Sequence, residues 1–367
     1  MDVRARLQPH VTNPLPVVSQ ALVTGIVGDA PSKYARTPPL WNALYRDLDW
    51  DAVSLPWDVA PEALGAFVDA VRGTPPVAGF NVTNPYKIAI MPFLDDLDPL
   101  ARQIGAVNTV ARESGTRLVG YNTDGQGAID ALTMRLPGQE RPFGDALAGR
   151  SVLMIGAGGA ARAVAFYVAK ALGENGRLRI VNRDAAKAAD LATALHAACG
   201  VGEGAGEDRL ADWLADADLV INSSLKGQTG WRRLADGSAC QLEPYSALAP
   251  ADPARVPAGL PLDAAASRRW LLASRADLQE NWTRGLDAIA RLRPDAACFD
   301  LIYAPLETTF LRDARLAGHA TQNGKWMNIA QAADAFARKV CRETLVARGL
   351  TEQSGYDRAL QVMTRVW

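Results

Sequence analysis

The chain has 367 residues, which at about 150 residues per domain indicates two domains. Its 39 basic and 40 acidic side chains leave a formal net charge of -1, which argues against a nucleic-acid-binding surface or a polybasic membrane anchor. No run of about 18 apolar residues is present and the N-terminus lacks a continuous apolar core, so we expect neither a membrane span nor a secretory signal. The composition predicts a soluble cytoplasmic protein and favours an enzyme.

The cysteines and histidines are few and widely spaced. No CxxC pair occurs, and no two of the 3 histidines are close enough in sequence to suggest a zinc site. We therefore expect reduced thiols and no bound metal. The cysteines are Cys199, Cys240, Cys298 and Cys341.

The first 125 residues alternate apolar strand patterns with helical spacings. Residues 1–20 have little periodicity and predict a loose arm. Strands are predicted from residue 21 and over 53–55, 77–82 and 117–121, and helices over 37–48, 61–72 and 88–94. Strands that alternate with helices indicate a parallel or mixed sheet.

A second series of strands and helices begins at residue 149. The strand SVLMIG, a glycine-rich turn, a helix, the strand RLRIVNR, another helix and the strand ADLVINSS follow one another. This β-α-β-α-β order is typical of a mononucleotide-binding half-fold. Beyond it, a helix is predicted over 264–292, and one or two amphipathic helices follow Trp326.

The glycine-rich turn is the first candidate binding feature. It follows an apolar strand, opens a helix and contains Gly156, Ala157, Gly158, Gly159 and Ala160. Gly156 would form the tight turn, and Gly158 would let the backbone approach a pyrophosphate at the helix N-terminus. The pattern predicts a dinucleotide site, and a glycine-rich turn without a ligand is the alternative.

The residues after the second strand of this series bear on the choice of dinucleotide. An acidic residue at this place binds the 2′-hydroxyl of NAD, whereas a basic residue accommodates the 2′-phosphate of NADP. Both types occur in the segment that contains Asn182, Arg183, Asp184 and Lys187. Because Asp184 also fits the N-cap of the next helix, we favour NADP and keep NAD as the alternative.

Three polar segments lie upstream, at strand ends where open α/β sheets bind ligands. They read GFNVTNPYK over 79–87, GAVNT over 105–109 and GYNTDG over 120–125. Together with GAGGAARA, NRDAAK, DLIYAPLET and NGKWM further along, they resemble the ordered motifs of the shikimate dehydrogenases. The resemblance covers about residues 21–345.

The resemblance implies the reversible oxidation of a ring hydroxyl of shikimate to 3-dehydroshikimate with NADP, in the shikimate pathway of aromatic amino acid biosynthesis. Lys87 corresponds to the catalytic lysine of the family and Asp124 to its carboxylate partner. A base and a cation beside the hydroxyl oxygen are what hydride transfer from a secondary alcohol requires. Positions that correspond to substrate contacts are Thr37, Thr83, Asn108, Tyr303 and Gln331, and those that correspond to further cofactor contacts are Ser224, Gly324 and Met327.

The implied fold is α/β with two domains. An N-terminal substrate-binding domain of residues 1–125 is rejoined by C-terminal helices within 327–367. A Rossmann NAD(P)-binding domain spans 126–326 and contains an insertion at about 228–297. We expect a monomer or homodimer that binds a small shikimate-like carboxylate but no nucleic acid and no membrane.

One loop departs from the family pattern where the substrate carboxylate is bound. The first of two family serines is Ala35 here, and the second is Thr37, as in members of the family that accept quinate. Lys33, Tyr34 or Arg36 could supply an anion contact instead, with arginine best suited to a carboxylate, or these side chains could face solvent.

These departures leave two alternatives to a shikimate dehydrogenase. The first is a quinate or aminoshikimate dehydrogenase, with NAD as a possible cofactor. The second is a non-catalytic nucleotide-binding regulatory homologue, which is motivated by the insertion and by Trp326, where the family has a glycine beside the nicotinamide. The presence of Lys87 and Asp124 opposes the second alternative.

Overall fold

Within residues 2–144 and 146–367, which the computed structural model describes, two large sheets of six strands each confirm the predicted α/β class with two domains. Each sheet belongs to one of two units. The first unit is formed by the chain up to Ala131, by Arg135–Arg141 and by Asn328–Trp367. The second unit is formed by Leu132–Met134 and Pro142–Met327.

The first sheet is mixed. Its strands are β1 (Leu22–Gly28), β2 (Ala52–Asp58), β3 (Val77–Val82), β4 (Asp96–Leu97), β5 (Thr109–Glu113) and β6 (Arg117–Tyr121). The order is β2-β1-β3-β5-β6-β4, with β1 parallel to both of its neighbours and β5 antiparallel to both of its own. The predicted strands over 77–82 and 117–121 match β3 and β6, whereas β4 and β5 are additional to the predicted set.

The helices of the first unit before residue 134 are short. They are α1 (Val3–Leu7), α2 (Pro31–Tyr34), α3 (Thr37–Asp47), α4 (Leu64–Arg72), α5 (Tyr86–Ala89), α6 (Pro99–Ile104) and α7 (Asp124–Thr133), the last of which runs into the second unit. The helix predicted over 88–94 is replaced by α5 and a 3-10 turn at Met91–Phe93. Pro92 lacks the N–H that a continuing α-helix would need.

The N-terminal segment is packed, so the prediction of a loose arm was wrong. Val3, Leu7 and Leu15 are buried in the same core cluster as the strands. The Gln8 amide nitrogen donates to the Val11 carbonyl oxygen at 3.2 Å, and its amide oxygen accepts from the backbone N–H of Leu15 at 2.8 Å. Val3 and Leu7 lie four positions apart, which places them on one side of α1, and Leu15 follows in the non-helical part of the segment.

The second sheet is parallel throughout. Its strands are β7 (Ser151–Ile155), β8 (Arg177–Asn182), β9 (Glu203–Gly206), β10 (Leu219–Asn222), β13 (Ala297–Asp300) and β14 (Ala320–Gln322), and the intervening short strands β11 (Trp231–Arg233) and β12 (Ala239–Gln241) pair with each other. The order β9-β8-β7-β10-β13-β14 is the doubly wound order of a Rossmann fold. The helices are α8 (Gly159–Leu172), α9 (Ala185–Cys199), α10 (Leu210–Leu214), α11 (Ala264–Ala273), α12 (Arg275–Ile289) and α13 (Thr309–Leu316).

The helix predicted over 264–292 is two helices. α11 ends and α12 begins at the buried Ser274, whose hydroxyl oxygen accepts from the backbone N–H of Ala254 at 3.0 Å. α11 and α12 enclose a small apolar cluster that contains Tyr245 and Trp270. This part of the chain therefore has a core of its own.

The C-terminal helices belong to the first unit, as predicted, although they exceed the one or two expected. They are α14 (Lys325–Asp334), a π-helical segment Ala335–Val340, α15 (Arg342–Ala347) and α16 (Glu352–Val366). The Trp41 indole N–H of α3 donates to the Ala332 carbonyl oxygen at 3.2 Å. Arg358 of α16 pairs with Asp47 of α3 at 2.5 Å, so both ends of the C-terminal segment are attached to α3.

Candidate active site

The backbone of Lys87 is fixed on the first unit just beyond β3. A cis peptide bond joins Asn84 to Pro85 and is followed by α5. The Tyr86 hydroxyl donates to the Val59 carbonyl oxygen at 2.6 Å, and the Lys87 carbonyl oxygen accepts from the backbone N–H of Val107 at 2.7 Å. One contact is made by the residue before Lys87 and the other by Lys87 itself, and together they fix the backbone at this position.

Asp124 begins α7 and lies beside Lys87. The Lys87 Nζ atom is 2.6 Å from Asp124 Oδ2, and the side chains are 21% and 10% exposed. The backbone N–H of Asp124 donates to Asn122 Oδ1 at 3.1 Å, which fixes the start of the helix. An ion pair this enclosed is screened far less by water than one on the surface.

A buried amide network holds the second oxygen of the Asp124 carboxylate. Asn108 Nδ2 donates to Asp124 Oδ1 at 2.8 Å, and Asn108 Oδ1 accepts from the backbone N–H of Thr123 at 2.8 Å. Gln331 Oε1 lies 3.3 Å from both Asn108 Nδ2 and the Thr123 hydroxyl. The structure therefore brings four predicted site residues together: Lys87, Asn108, Asp124 and Gln331.

Thr123 is the residue of this network that the sequence analysis missed. It is fully buried and joins Asn108 to Gln331. The signal was available, because Thr123 lies inside the GYNTDG segment that also supplies Asp124. The hydrogen-bonding capacity of a buried threonine has to be satisfied by neighbouring polar groups, which is what this cluster provides.

Thr83 lies close to a second cluster of polar side chains, which contains Tyr34 and Asp29. A Cβ atom on Gly28 would be 2.5 Å from the Thr83 methyl carbon and 3.3 Å from the Tyr34 hydroxyl. The Tyr34 hydroxyl donates to Asp29 Oδ1 at 2.8 Å. Burial, together with the neighbouring Asp29 carboxylate, raises the pKa of Tyr34 above its ordinary value. Tyr34 is therefore a neutral phenol whose proton is directed to Asp29.

The loop with the altered carboxylate contacts leads into α3. Thr37, the first residue of that helix, is buried, and Ala35 is partly exposed. The Arg36 guanidinium carbon lies 5.6 Å from the centroid of the Trp367 ring. Of the three side chains considered as replacement anion contacts, Arg36 is thus stacked on an aromatic ring and Tyr34 is bonded to Asp29. Lys33 is exposed.

The glycine-rich turn of the second unit has the geometry that a pyrophosphate needs. Gly156 has a φ of 110°, and a Cβ atom there would be 2.9 Å from the backbone of Ser223 and Ser224. Nothing lies within 4 Å of the Cβ positions of Gly158 and Gly159. The N-cap of α8, Gly158, makes no side-chain hydrogen bond to the helix, and uncapped N–H groups at a helix start are donors suited to an anion.

The segment after β8 contains the acidic and basic residues that bear on the choice between NAD and NADP. The Asp184 carboxylate caps α9 by accepting from the backbone N–H of Ala186 at 3.2 Å, and Lys187 Nζ lies 3.8 Å from it. The Asn182 amide donates to the Asp184 carbonyl oxygen at 2.9 Å. Arg183 is exposed and, with residues that include Glu207, lines a cavity of about 290 Å³.

The remaining predicted residues also lie on the second unit, at the carboxyl ends of its strands. Ser224 follows β10, and its hydroxyl donates to Asn222 Oδ1 at 2.7 Å. Tyr303 follows β13. A Cβ atom on Gly324 would be 2.0 Å from the Leu301 carbonyl oxygen, so this glycine permits a close backbone approach, and Met327 is buried.

Two classes of feature are not found in the part of the chain that the structure describes. No helix there is long and apolar enough to cross a lipid bilayer. Among the same residues, no group of three or more His, Cys, Asp or Glu side chains is placed to hold a metal ion.

Comparison with known proteins gives consistent matches. A sequence profile described as the shikimate dehydrogenase substrate binding domain matches residues 26–110. The shikimate dehydrogenase (NADP(+)) of Geobacter sp. strain M21 is 33% identical over 334 residues, which cover 87% of this chain and 90% of the relative.

Two solved structures extend the range of similar proteins. Quinate dehydrogenase from Corynebacterium glutamicum in complex with NAD is 25% identical, with a TM-score of 0.63 over 93% of this chain and 99% of that one. The 5-ketofructose reductase of Gluconobacter sp. strain CHM43 is 26% identical, with a TM-score of 0.61 over 95% and 100%. Similar proteins thus differ both in their dinucleotide and in their substrate.

Proposed function

Because the chain belongs to the shikimate dehydrogenase family and is an NAD(P)-dependent oxidoreductase of that type, we propose that it interconverts shikimate, or a close ring hydroxy acid, and the corresponding 3-dehydro ketone with NADP. The enclosed ion pair of Lys87 and Asp124 is the observation that carries the proposal. It places an acid–base group and a cation in one position, and both are needed at a hydroxyl oxygen that becomes a carbonyl.

Lys87 is the proposed proton carrier. Its ammonium has three N–H groups, of which one is directed to Asp124, so the others are free to reach a substrate oxygen. In the reductive direction the ammonium donates a proton to that oxygen, and in the oxidative direction the neutral amine accepts it. Bound NADP would supply the hydride acceptor or donor.

Asp124 and Asn108 are the proposed orienting residues. Asp124 keeps the lysine nitrogen in place through one oxygen, while Asn108 fixes the other oxygen of the same carboxylate. Gln331, Thr83, Thr37 and Tyr303 are the proposed substrate contacts. The proposed substrate-binding domain comprises residues 1–125 with 327–367, and the proposed NAD(P)-binding domain comprises 126–326.

The cofactor proposal rests on the turn after β7 and on the strand end after β8. The open positions over Gly158 and Gly159 and the uncapped start of α8 fit a pyrophosphate. Because the Asp184 carboxylate caps α9, Arg183 with Lys187 is the better candidate for the adenosine end, and this favours a 2′-phosphate. Ser224, Gly324 and Met327 are proposed as further cofactor contacts.

A spectrophotometric assay at the NAD(P)H absorbance tests the proposal. We expect absorbance to rise when NADP+ and shikimate are mixed with the protein, and to fall when 3-dehydroshikimate and NADPH are mixed with it. The reaction should be lost in Lys87→Ala. If no ring hydroxy acid is turned over while NADP still binds, the non-catalytic alternative replaces this proposal.

Oxidation of quinate is the second candidate function. Thr37 and the loss of a hydroxyl at Ala35 favour it, because they alter the loop proposed to bind the carboxylate. The same assay with quinate, and with NAD+ in place of NADP+, separates the candidates by their kcat/KM values. The 5-ketofructose reductase similarity adds 5-ketofructose to the panel, as a substrate without a carboxylate. The cytoplasmic location stays a prediction.

A further inference from the structure

A sealed polar pair joins two neighbouring strands of the second unit. β10 ends at Asn222 and β13 ends at Asp300, and the two residues are partners in the parallel register. Both are fully buried. Asn222 Nδ2 donates to Asp300 Oδ1 at 3.0 Å, so the amide and the carboxylate form a bridge across the sheet.

Asn222 closes the loop that follows β10. Its Oδ1 atom accepts from both the backbone N–H of Ser224 at 3.0 Å and the Ser224 hydroxyl at 2.7 Å. Its Nδ2 atom also donates to the Lys226 carbonyl oxygen at 3.1 Å. Asn222 therefore holds the loop that presents Ser224, a proposed cofactor contact, through three hydrogen bonds.

Asp300 closes the loop that follows β13 in the same manner. Its Oδ1 atom accepts from the backbone N–H of Ile302 at 2.9 Å, and its Oδ2 atom accepts from the Thr308 hydroxyl at 2.7 Å. Tyr303, a proposed substrate contact, lies between these two attachment points. The loops also touch directly, since the backbone N–H of Thr229 donates to the Ala304 carbonyl oxygen at 3.0 Å.

The Asp300 carboxylate is held by hydrogen bonds alone. In the part of the chain that the structure describes, no basic side chain forms an ion pair with it, and burial raises its pKa to about 7. A buried carboxyl group without a cation costs free energy, and packing alone would be served better by an apolar residue. Unlike an apolar residue, Asp300 accepts three hydrogen bonds, from Asn222, Ile302 and Thr308. Asn222 leads into the Ser224 loop, and the other two donors belong to the Tyr303 loop.

We propose that Asp300 is a positioning residue that couples the Ser224 loop to the Tyr303 loop, so that cofactor and substrate strengthen each other's binding. The inference rests on the proposed function for the roles of Ser224 and Tyr303. Because such coupling is reciprocal, NADPH must strengthen shikimate binding by the same factor as shikimate strengthens NADPH binding.

Three substitutions separate this coupling from a merely structural role. Asp300→Asn keeps the shape and removes the charge. Thr308→Val removes the hydroxyl that attaches the Tyr303 loop and that also caps α13 by accepting from the backbone N–H of Leu311 at 3.4 Å. Thr308→Ser is the matched control that keeps this hydroxyl. Dissociation constants for NADPH are measured by fluorescence titration, with and without shikimate, and KM and kcat are measured in parallel on variants whose circular dichroism matches the wild type.

The expected pattern is specific. Thr308→Val should raise the KM for shikimate about tenfold, because a hydrogen bond that holds the Tyr303 loop to Asp300 is lost. The dissociation constant for NADPH without shikimate should stay unchanged, and the effect of shikimate on that constant should fall. Asp300→Asn should weaken both ligands and bring the effect of shikimate on NADPH affinity close to none. Thr308→Ser should behave as the wild type.

Two results would overturn the proposal. One is an Asp300→Asn protein that keeps both constants and their coupling within about twofold of the wild type. The other is a Thr308→Val protein in which the affinity for NADPH alone falls as much as the affinity for shikimate. A general loosening of the second unit would then explain the data. If no ring acid is turned over, the proposed function fails separately, and the NADPH titration of Asp300→Asn still tests the Ser224 loop. Unchanged NADPH binding there also rejects the coupling.

Discussion

The two units contain two carboxylates that are built into similar networks but left in different electrostatic states. Asp124 on the first unit and Asp300 on the second are both bonded to an asparagine amide, Asn108 and Asn222 respectively. Asp124 also has a lysine 2.6 Å away and keeps a tenth of its side chain accessible, whereas Asp300 has no cation in the described part of the chain and is sealed.

This difference suits the two carboxylates to different roles. The pair of Asp124 and Lys87 is accessible to a ligand, whereas Asp300 is enclosed and contacts only the residues that pack around it. The side chains of Lys87 and Asp124 remain 21% and 10% exposed, so the pair is accessible to a small molecule. Asp300 is fully buried among its three hydrogen-bond donors, and burial raises its pKa to about 7. We expect changes to the open pair to appear in turnover and changes to the sealed carboxylate to appear in affinity and stability.

The largest effect is expected at the open pair. Lys87→Ala should lower kcat by about 100- to 10,000-fold, the usual cost of removing a positioned acid–base group, without altering NADPH affinity. Steady-state kinetics and a fluorescence titration measure the two quantities. Arg6→Ala, which removes an exposed cation on the same unit, is the control. A Lys87→Ala protein with near wild-type turnover would remove the lysine from the mechanism.

The sealed carboxylate should be visible in the pH dependence of stability. Its pKa is raised from 3.8 to about 7 in the folded protein, so the folded state binds the proton more tightly than the unfolded state between these values. As the pH rises through this range, the free energy of unfolding of the wild type should therefore fall by up to roughly 1.4 kcal/mol per pH unit relative to that of Asp300→Asn. Urea unfolding from about pH 4 to about pH 7 measures the difference.

The matched control for this measurement is Asp295→Asn, which neutralises an exposed carboxylate shortly before β13. Its stability relative to the wild type should change little with pH. Parallel curves for the wild type and Asp300→Asn would mean that Asp300 has the same proton affinity in both states, and the contrast between the two carboxylates would then be lost.

A third, smaller effect is expected on the second unit, in the affinity for NADP relative to NAD. Arg183→Ala should weaken NADP by about tenfold or more while leaving NAD within about twofold, because only NADP loses a charge-assisted contact. Arg177→Ala removes a charge at the other end of β8 and should leave both dinucleotides unchanged. Equal weakening of NADP and NAD by Arg183→Ala would show that the arginine shapes the pocket without reading the phosphate.

The smallest effect is expected in the carboxylate loop of the first unit. Ala35→Ser restores a hydroxyl and should lower the KM for shikimate, by up to about tenfold if it regains one hydrogen bond to the carboxylate. Thr37→Ala should raise the same KM. NADPH affinity should not respond to either change. A higher KM for shikimate in Ala35→Ser, combined with good turnover of quinate by the wild type, would exclude shikimate as the substrate.

Local patterns sufficed for much of this fold. Strand β7 was predictable because it is a nearly continuous apolar run followed by glycine, and a buried strand of a parallel sheet needs that composition. The break between α11 and α12 was not predictable, because it depends on a hydrogen bond from Ala254, 20 positions before Ser274. The packing of the N-terminal residues likewise depends on the strands that bury them.

The two polar networks differ in how much of them the sequence reveals. Lys87, Asn108 and Asp124 lie in three dense polar motifs, so resemblance and strand-end logic both pointed to them. The bridge from Asn222 to Asp300 spans 78 positions and exists only because β10 and β13 are adjacent in the sheet. Strand order is a tertiary property, and the segment between these strands gave no local indication of it.

The discontinuity of the first unit has a consequence for the order in which the protein is made. A nascent chain that ends at Met327 contains every residue of the second unit but lacks Gln331 and most of α14. Domains generally fold as they emerge from the ribosome, N-terminal first. Here the later unit is the first to have all its residues, and the polar network around Asp124 is completed only once Gln331 has been translated.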